Sequence, residues 1–330
     1  MIQKVQSLFG EGALPFWQAV TILGDGFFVF LAFAVLAWIW STTCAVRVGL
    51  VSVVIGILVG FLKVAIREPR PYLTDSTIIP WQAGSGFGMP SGHSASAVGL
   101  FVLLWLLRRS AWTLGITLAA ILLVGVSRLY LGVHTAEQVM AGWLLGLLVV
   151  VVAQRFGDAI GDTLSRLDLR IHIVFAMLCC VALAFGQHAL SVRLLENFVV
   201  PSEWLERAEA ARALAGTPSK GEIDRVIAAD FFELHRIYLP ALLLGMWLTA
   251  IAARAGYSMG RLDLAAKILN LSIGLPVLLA AIVSIVLARE TSWLALTLIV
   301  ATPLAVAIGV PWLSKKVASV VPRRSHHPEP

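Results

Sequence analysis

Residues 112–152 read WTLGITLAAILLVGVSRLYLGVHTAEQVMAGWLLGLLVVVV. An apolar run, Trp112–Val126, gives way to twelve mixed residues, Ser127–Gln138, and a second apolar run opens at His134 and continues to Val152. Arg128 and His134 therefore sit where a membrane span meets water. Ionisable groups are costly at such a place, and their default reading is functional. Arg128 offers a planar fork of donors suited to phosphate oxygens, and His134 a nitrogen nucleophile or proton carrier.

The pattern extends along the whole chain. The 330 residues are 59% hydrophobic and 13% charged, with a mean hydropathy of +0.88. Soluble domains average about 25% charged residues. Apolar stretches of roughly 17–25 residues recur, each long enough to cross a bilayer as a helix. The fold class is an all-α polytopic membrane protein, a bundle of about nine transmembrane spans. In such a chain the net charge of +6 marks cytoplasmic loops and contact with anionic membrane lipids, not nucleic acid. The three cysteines, Cys44, Cys179 and Cys180, read as small packing residues, not a disulfide framework. The amino terminus has no convincing cleavable signal, and the first span reads as a retained anchor.

Residues 1–24 read as one interfacial helix with Phe16 and Trp17 at headgroup level. Spans follow over Phe27–Trp40, Val46–Ile66, Ser94–Leu107, Trp112–Val126 and His134–Val152. An amphipathic connector, Arg155–Arg170, leads to a sixth span, Ile171–Gly186, flanked by His172 and His188 as interfacial histidines. The polar segment 188–236 reads as surface helices, with Ser202–Ala215 a solvated helix or, less favoured, a lid. Three spans near Tyr238–Ala253, Ile268–Ala288 and Leu294–Leu313 precede a disordered cytoplasmic tail, 317–330. Short loops carrying Arg47, Arg108, Arg109, Arg155, Arg166, Arg170, Arg254, Arg261 and Lys267 fall on one side, as do Lys315, Lys316, Arg323 and Arg324 of the tail. The positive-inside rule puts these in the cytoplasm, the amino terminus outside, and the loops after spans two and four together on the outer (periplasmic or lumenal) face.

Two further segments share that face. Lys63-Val-Ala-Ile-Arg-Glu-Pro-Arg70-Pro71 ends span two, and places Lys63 and Arg70 about two helical turns apart. Arg67 between them reads as a snorkelling side chain. Gly86-Phe-Gly-Met-Pro90-Ser91-Gly92-His93 runs into span three. Proline and serine at a helix start are ordinary capping chemistry, but a helix start also presents backbone N–H groups and a positive dipole end to an anion. Gly92 allows close approach, Ser91 adds a hydroxyl and His93 a proton. The Gly56-x-x-x-Gly60 and Gly142-x-x-x-Gly146 patterns read as packing surfaces.

Lys-x6-Arg-Pro, Pro-Ser-Gly-His and Ser-Arg-x5-His, in this order, resemble the motifs of the type-2 phosphatidic acid phosphatase and vanadium haloperoxidase superfamily. The resemblance covers residues 63–138 in its motifs and about 25–155 in its helices. It implies a phosphatase core of five spans within residues 1–155, followed by a carboxyl-terminal membrane region, 156–316. It implies that Lys63, Arg70, Arg128, Ser91 and the Gly92 backbone hold phosphate, that His134 attacks phosphorus, and that His93 protonates the leaving group and then activates water. Three fixed cations take the place of metals, so no metal or other cofactor is expected, and phosphate and vanadate are expected inhibitors.

The family motif commonly ends His-x3-Asp, whereas position i+4 here is Gln138. A glutamine oxygen can accept the ring N–H and orient the nucleophile, but supplies no full charge. Glu137 is a candidate substitute, though its expected place is in water. The glucose-6-phosphatase branch also carries glutamine there and is similar in layout, so substrates divide between a lipid phosphate or polyprenyl diphosphate and a small sugar phosphate. The lipid class is preferred, as the family's commoner activity. A non-enzymatic transporter or scaffold is the alternative outside the hydrolases. It is disfavoured because charged residues within spans are nearly confined to the motifs.

Overall fold

A computed structural model describes all residues except 83, 85, 197, 215–237, 255–263, 288–291 and 321–330. The second half of the polar segment 188–236, Arg261, His235 and the tail from residue 321 thus lie outside the described residues. Every regular element among the described residues is helical. Among the described residues, six helices are long and apolar enough to cross a membrane, or seven if a bent pair near the amino terminus counts as one span. Two shorter apolar helices, Gly92–Arg108 and Leu239–Ala252, accompany them.

The chain divides into two compact units. The first comprises Met1–Leu31 and Val48–Leu244; the second comprises Ala32–Arg47 and Gly245 onward. In the first unit the amino terminus forms two helices, α1 (Ile2–Phe9) and α2 (Leu14–Ile22), where one was expected. Gly10, at φ 64°, separates them, a backbone conformation that glycine adopts without a Cβ clash. Phe16 is exposed, as a headgroup aromatic should be, but Trp17 is buried, 4.9 Å from the Phe9 ring and 5.8 Å from that of Tyr130. The Tyr130 hydroxyl donates to Gly10 O at 2.6 Å, and Gln6 Nε2 donates to Tyr130 O at 2.9 Å. These bonds tie the amino-terminal helices to the end of the long helix that carries Arg128.

Helix α3 (Gly26–Ile39) follows α2 after a bend of 49°. Helix α4 (Thr42–Ile66) ends with Lys63, and the short α5 (Pro71–Thr74) begins just after Arg70. Helix α6 (Gly92–Arg108) packs along both α7 (Ala111–Tyr130) and α8 (Ala136–Ser165). Small residues set these approaches. A Cβ on Gly142 would meet Ser91 O and the Ser94 side chain, and one on Gly146 would meet Ala95 O and Val98. The second small-residue pair is thus where α8 lies against α6.

Helix α8 absorbs most of the expected connector, since Arg155–Ser165 continue it. Helix α9 (Leu169–Leu195) likewise outruns its apolar core, and His172 in it is buried while His188 is exposed. Arg67 does not simply reach for water: its Nη1 donates to Leu194 O at 3.0 Å and its guanidinium lies 5.6 Å from the Phe198 ring. Helix α10 (Ser202–Leu214) packs on α5 through buried Ala208 and Ala211, with Arg207 Nη1 donating to Leu73 O at 3.4 Å.

Helix α11 (Leu239–Ala252) begins in the first unit and ends in the second. The second unit packs α12 (Leu264–Leu287) against α13 (Ser292–Leu304) and α14 (Val310–Val320), the last two joined by a π turn, Ala305–Gly309. Trp38, fully buried, fastens this unit: its Nε1 donates to Val306 O at 2.8 Å, and its carbonyl accepts from Asn270 Nδ2 at 3.0 Å.

Candidate active site

The three motif segments converge inside the first unit. Lys63 comes from the last turn of α4, Arg70 from the residue before α5, and Ser91, Gly92 and His93 from the start of α6. Arg128 comes from the last turn of α7, and His134 and Gln138 flank the start of α8. Lys63, Arg70 and Arg128 are only 5%, 4% and 3% exposed, so none of them snorkels to water. Burying cations this way is expensive unless acceptors or an anion compensate.

Arg70 is held by backbone carbonyls: Nε donates to Gly86 O at 3.0 Å and Nη1 to Val133 O at 3.1 Å. The same Nη1 lies 3.4 Å from His134 Nε2. Arg128 Nη1 donates to Thr21 Oγ1 at 2.5 Å and to Gln82 Oε1 at 3.0 Å. Its Nε is buried with no hydrogen-bond partner among the described residues. A buried donor without an acceptor is rare, and an anionic ligand would supply the missing oxygen.

His134, 1% exposed, precedes the N-cap of α8. Thr135 and Gln138 form a capping box, with Gln138 N donating to Thr135 Oγ1 and Thr135 N donating to Gln138 Oε1, both at 3.3 Å. That same Oε1 lies 3.0 Å from His134 Nδ1. Gln138 Nε2 donates to Glu68 Oε1 at 2.8 Å and to Pro69 O at 3.0 Å. With the amide nitrogen committed to two acceptors, the oxygen faces the imidazole. Nδ1 then carries the hydrogen, and the Nε2 lone pair accepts from Arg70 Nη1. Burial, and then the charges of Arg70, Arg128 and Lys63, hold the His134 pKa well below the ordinary histidine value, with the Gln138 hydrogen bond opposing.

Ser91 is the N-cap of α6; its Oγ accepts from Ser94 N at 3.4 Å and from Ser94 Oγ at 2.9 Å, while its own N donates to Gln138 O at 2.9 Å. Gly92 opens the helix behind it. His93 Nε2 lies 3.7 Å from Asp25 Oδ2, at the bend between α2 and α3. Among the described residues, no group of three or more His, Cys, Asp or Glu side chains is placed to hold a metal ion.

Sequence reasoning missed four neighbours of these groups: Thr21, Asp25, Glu68 and Gln82. Only Asp25 stands out in the sequence, flanked by Gly24 and Gly26 between the interfacial helix and the first span. Glu137, weighed as a substitute acid, is exposed; the carboxylate that reaches Gln138 is that of Glu68.

The sequence model of the PAP2 superfamily matches residues 43–162. The chain carries a PAP2 superfamily domain. Mouse (Mus musculus) sphingosine-1-phosphate phosphatase 1 is 31% identical over 152 residues, 43% of this chain and 34% of that protein. An undecaprenyl-diphosphatase of Sulfolobus acidocaldarius is 34% identical over 123 residues, 36% of this chain and 59% of its own. Phosphatidylglycerophosphatase B of Bacillus subtilis is 33% identical over 108 residues, 30% of this chain and 51% of its own. The chain thus spans between a third and three-fifths of the length of these curated relatives. No solved structure matches it significantly.

Proposed function

We propose that this PAP2 domain makes the chain a multi-pass membrane phosphatase that hydrolyses a lipid phosphate or polyprenyl diphosphate through a phosphohistidine. The observation that carries the proposal is the contact between Arg70 Nη1 and His134 Nε2, at 3.4 Å, on the far side of the ring from Gln138. It puts a guanidinium fork directly on the Nε2 lone pair, and a phosphate that drew the fork to its own oxygens would leave that lone pair free to attack. The names of the relatives support the substrate class, since each is a phosphatase of a phosphorylated lipid or polyprenyl compound.

In this reading Lys63, Arg70, Arg128, the Ser91 hydroxyl and the Gly92 N–H hold the phosphoryl oxygens. Phosphoryl transfer asks chiefly for position and charge stabilisation, which these groups supply. The His134 Nε2 lone pair attacks phosphorus as the bond to the leaving oxygen breaks, and protonated His93 gives that oxygen its proton. Water then attacks phosphorus, His93 takes the water proton, and the P–N bond breaks to release inorganic phosphate. Gln138 holds the nucleophile in the required tautomer. The site and the amino terminus lie on the outer face, the carboxyl terminus is cytoplasmic, and vanadate inhibits as a phosphate mimic.

The test is phosphate release by purified protein from phosphatidic acid, sphingosine 1-phosphate, phosphatidylglycerol phosphate, undecaprenyl diphosphate and glucose 6-phosphate. At least one lipid substrate should exceed the sugar phosphate, and His134→Ala should lower its turnover by at least about a thousandfold. Undiminished release by His134→Ala, or equal rates on glucose 6-phosphate and the best lipid, would overturn the proposal. Labelling of Ser7→Cys, in a variant without the three native cysteines, by an impermeant maleimide applied to the outer (periplasmic or lumenal) face of sealed vesicles of known orientation tests the orientation; protection from that face with labelling from the other would reverse it.

A further inference from the structure

Three side chains form a line at the start of α8. His134 Nδ1 meets Gln138 Oε1 at 3.0 Å, and Gln138 Nε2 meets Glu68 Oε1 at 2.8 Å. We propose that Glu68 is a positioning residue whose carboxylate acts on His134 through the Gln138 amide, supplying the negative charge that the glutamine lacks. The proposal rests on the reading of His134 as the nucleophile.

The amide can be oriented in only one sense. Reversing it would put its carbonyl oxygen against both the Glu68 carboxylate and Pro69 O, and its NH2 against the Thr135 N–H, which donates to Oε1 at 3.3 Å. An N–H that donates to a carboxylate polarises its amide and leaves more negative charge on the oxygen at the other end. That oxygen faces the ring nitrogen that must keep its hydrogen while Nε2 attacks.

The chemistry makes a demand here. Phosphorylation of Nε2 with Nδ1–H retained leaves a cationic ring, and Arg70, Arg128 and Lys63 all oppose positive charge on it. His93, on α6, lies within reach of the same three cations. Gln138, with Glu68 behind it, is the group on the opposite side. A neutral amide alone offers a dipole; an amide anchored on a carboxylate offers a share of a full charge. Glu68 is held in place for this, since its carbonyl accepts from Gly88 N at 2.7 Å and the adjacent Arg67 is fastened to Leu194 O.

The test compares wild type, Glu68→Gln, Glu68→Asp and the exchanged double variant Glu68→Gln/Gln138→Asp on the best lipid substrate. Glu68→Gln should lower kcat by about tenfold to a hundredfold with little change in KM, and move the acid limb of the kcat/KM profile to lower pH. Glu68→Asp should recover part of the loss. The exchanged variant, with a carboxylate directly on the imidazole and an amide behind it, should recover most of it. Wild-type kcat and pH limb in Glu68→Gln would overturn the proposal. So would a loss that leaves the limb in place and is not recovered by the exchange, which is the mark of a merely structural role. Nitrogen-15 histidine spectra separate this from the parent reading: Glu68→Gln should lower the His134 pKa even if the protein released no phosphate, and an unchanged His134 titration would overturn the proposal by itself.

Discussion

Gly88 lies so close to the side-chain amide of Gln138 that a β-carbon at position 88 would overlap it. That amide has no slack, because both ends are engaged: the oxygen with His134 and Thr135, the nitrogen with Glu68 and Pro69. Gly88→Ala is therefore expected to displace the amide or the Met89-Pro90 segment that follows. Either shift loosens the imidazole. Turnover should fall about tenfold or more while the melting temperature changes little, as steady-state kinetics and thermal unfolding of the same preparation would show.

Arg128 depends on a residue from the amino-terminal helices. Thr21→Val keeps the shape of the side chain but removes the oxygen that accepts from Arg128 Nη1, leaving Gln82 as its remaining acceptor there. KM and the inhibition constant for inorganic phosphate should rise by about tenfold to a hundredfold, the worth of one charge-assisted hydrogen bond, with kcat less affected. Arg128→Lys, which lacks the planar fork, should lose about a hundredfold or more in kcat/KM.

The pH profile follows from the direction of the His134 shift. An unperturbed imidazole titrates near about 6.5, and this one titrates lower because it is buried and faces three cations. If His134 is the nucleophile proposed above, it stays neutral below that pH in the free protein, so its limb of kcat/KM should lie on the acid side of it. Bound phosphate offsets the cations, so the corresponding limb of kcat should sit at higher pH than that of kcat/KM. The sign for stability is the reverse of a salt-bridged histidine. Between the folded and unfolded pKa values only the unfolded chain holds the proton, so this group's contribution falls as pH drops through the unfolded value and is level above it. A kcat/KM limb above the ordinary histidine range would contradict the burial of His134.

Two glycines of one helix make an internal comparison. Gly146→Ala would press a methyl group on Ala95 O and Val98 at the α6–α8 contact, while Gly157→Ala meets nothing within 4 Å. The first should destabilise by about 1–3 kcal/mol, and the second should be neutral or stabilising by up to about 1 kcal/mol from helix propensity. Thermal unfolding of the two variants in one detergent measures the difference.

Much of this was legible in the chain. Apolar length marks the spans, and the spacing of Lys63, Arg70, His93, Arg128 and His134 marks residues that the fold brings together. Two kinds of feature were not legible. Helices α8 and α9 outlast their apolar cores, because hydropathy stops where lipid stops, whereas a helix stops where its backbone bonds do; nothing in Arg155–Ser165 breaks those bonds. The partners of the site were hidden for a different reason. Glu68 and Gln138 are 70 residues apart, Thr21 and Arg128 are 107 apart, and a lone glutamate or threonine carries no pattern. Trp17 resembles any interfacial tryptophan until Tyr130 is found packed beside it.

One oxygen atom, Gln138 Oε1, closes the first turn of α8 and also steadies the ring of His134. Secondary structure and reactivity therefore share a single fastening. When that turn frays on warming, the imidazole is released with it, so heat should silence the enzyme at a temperature where the bundle itself is still intact.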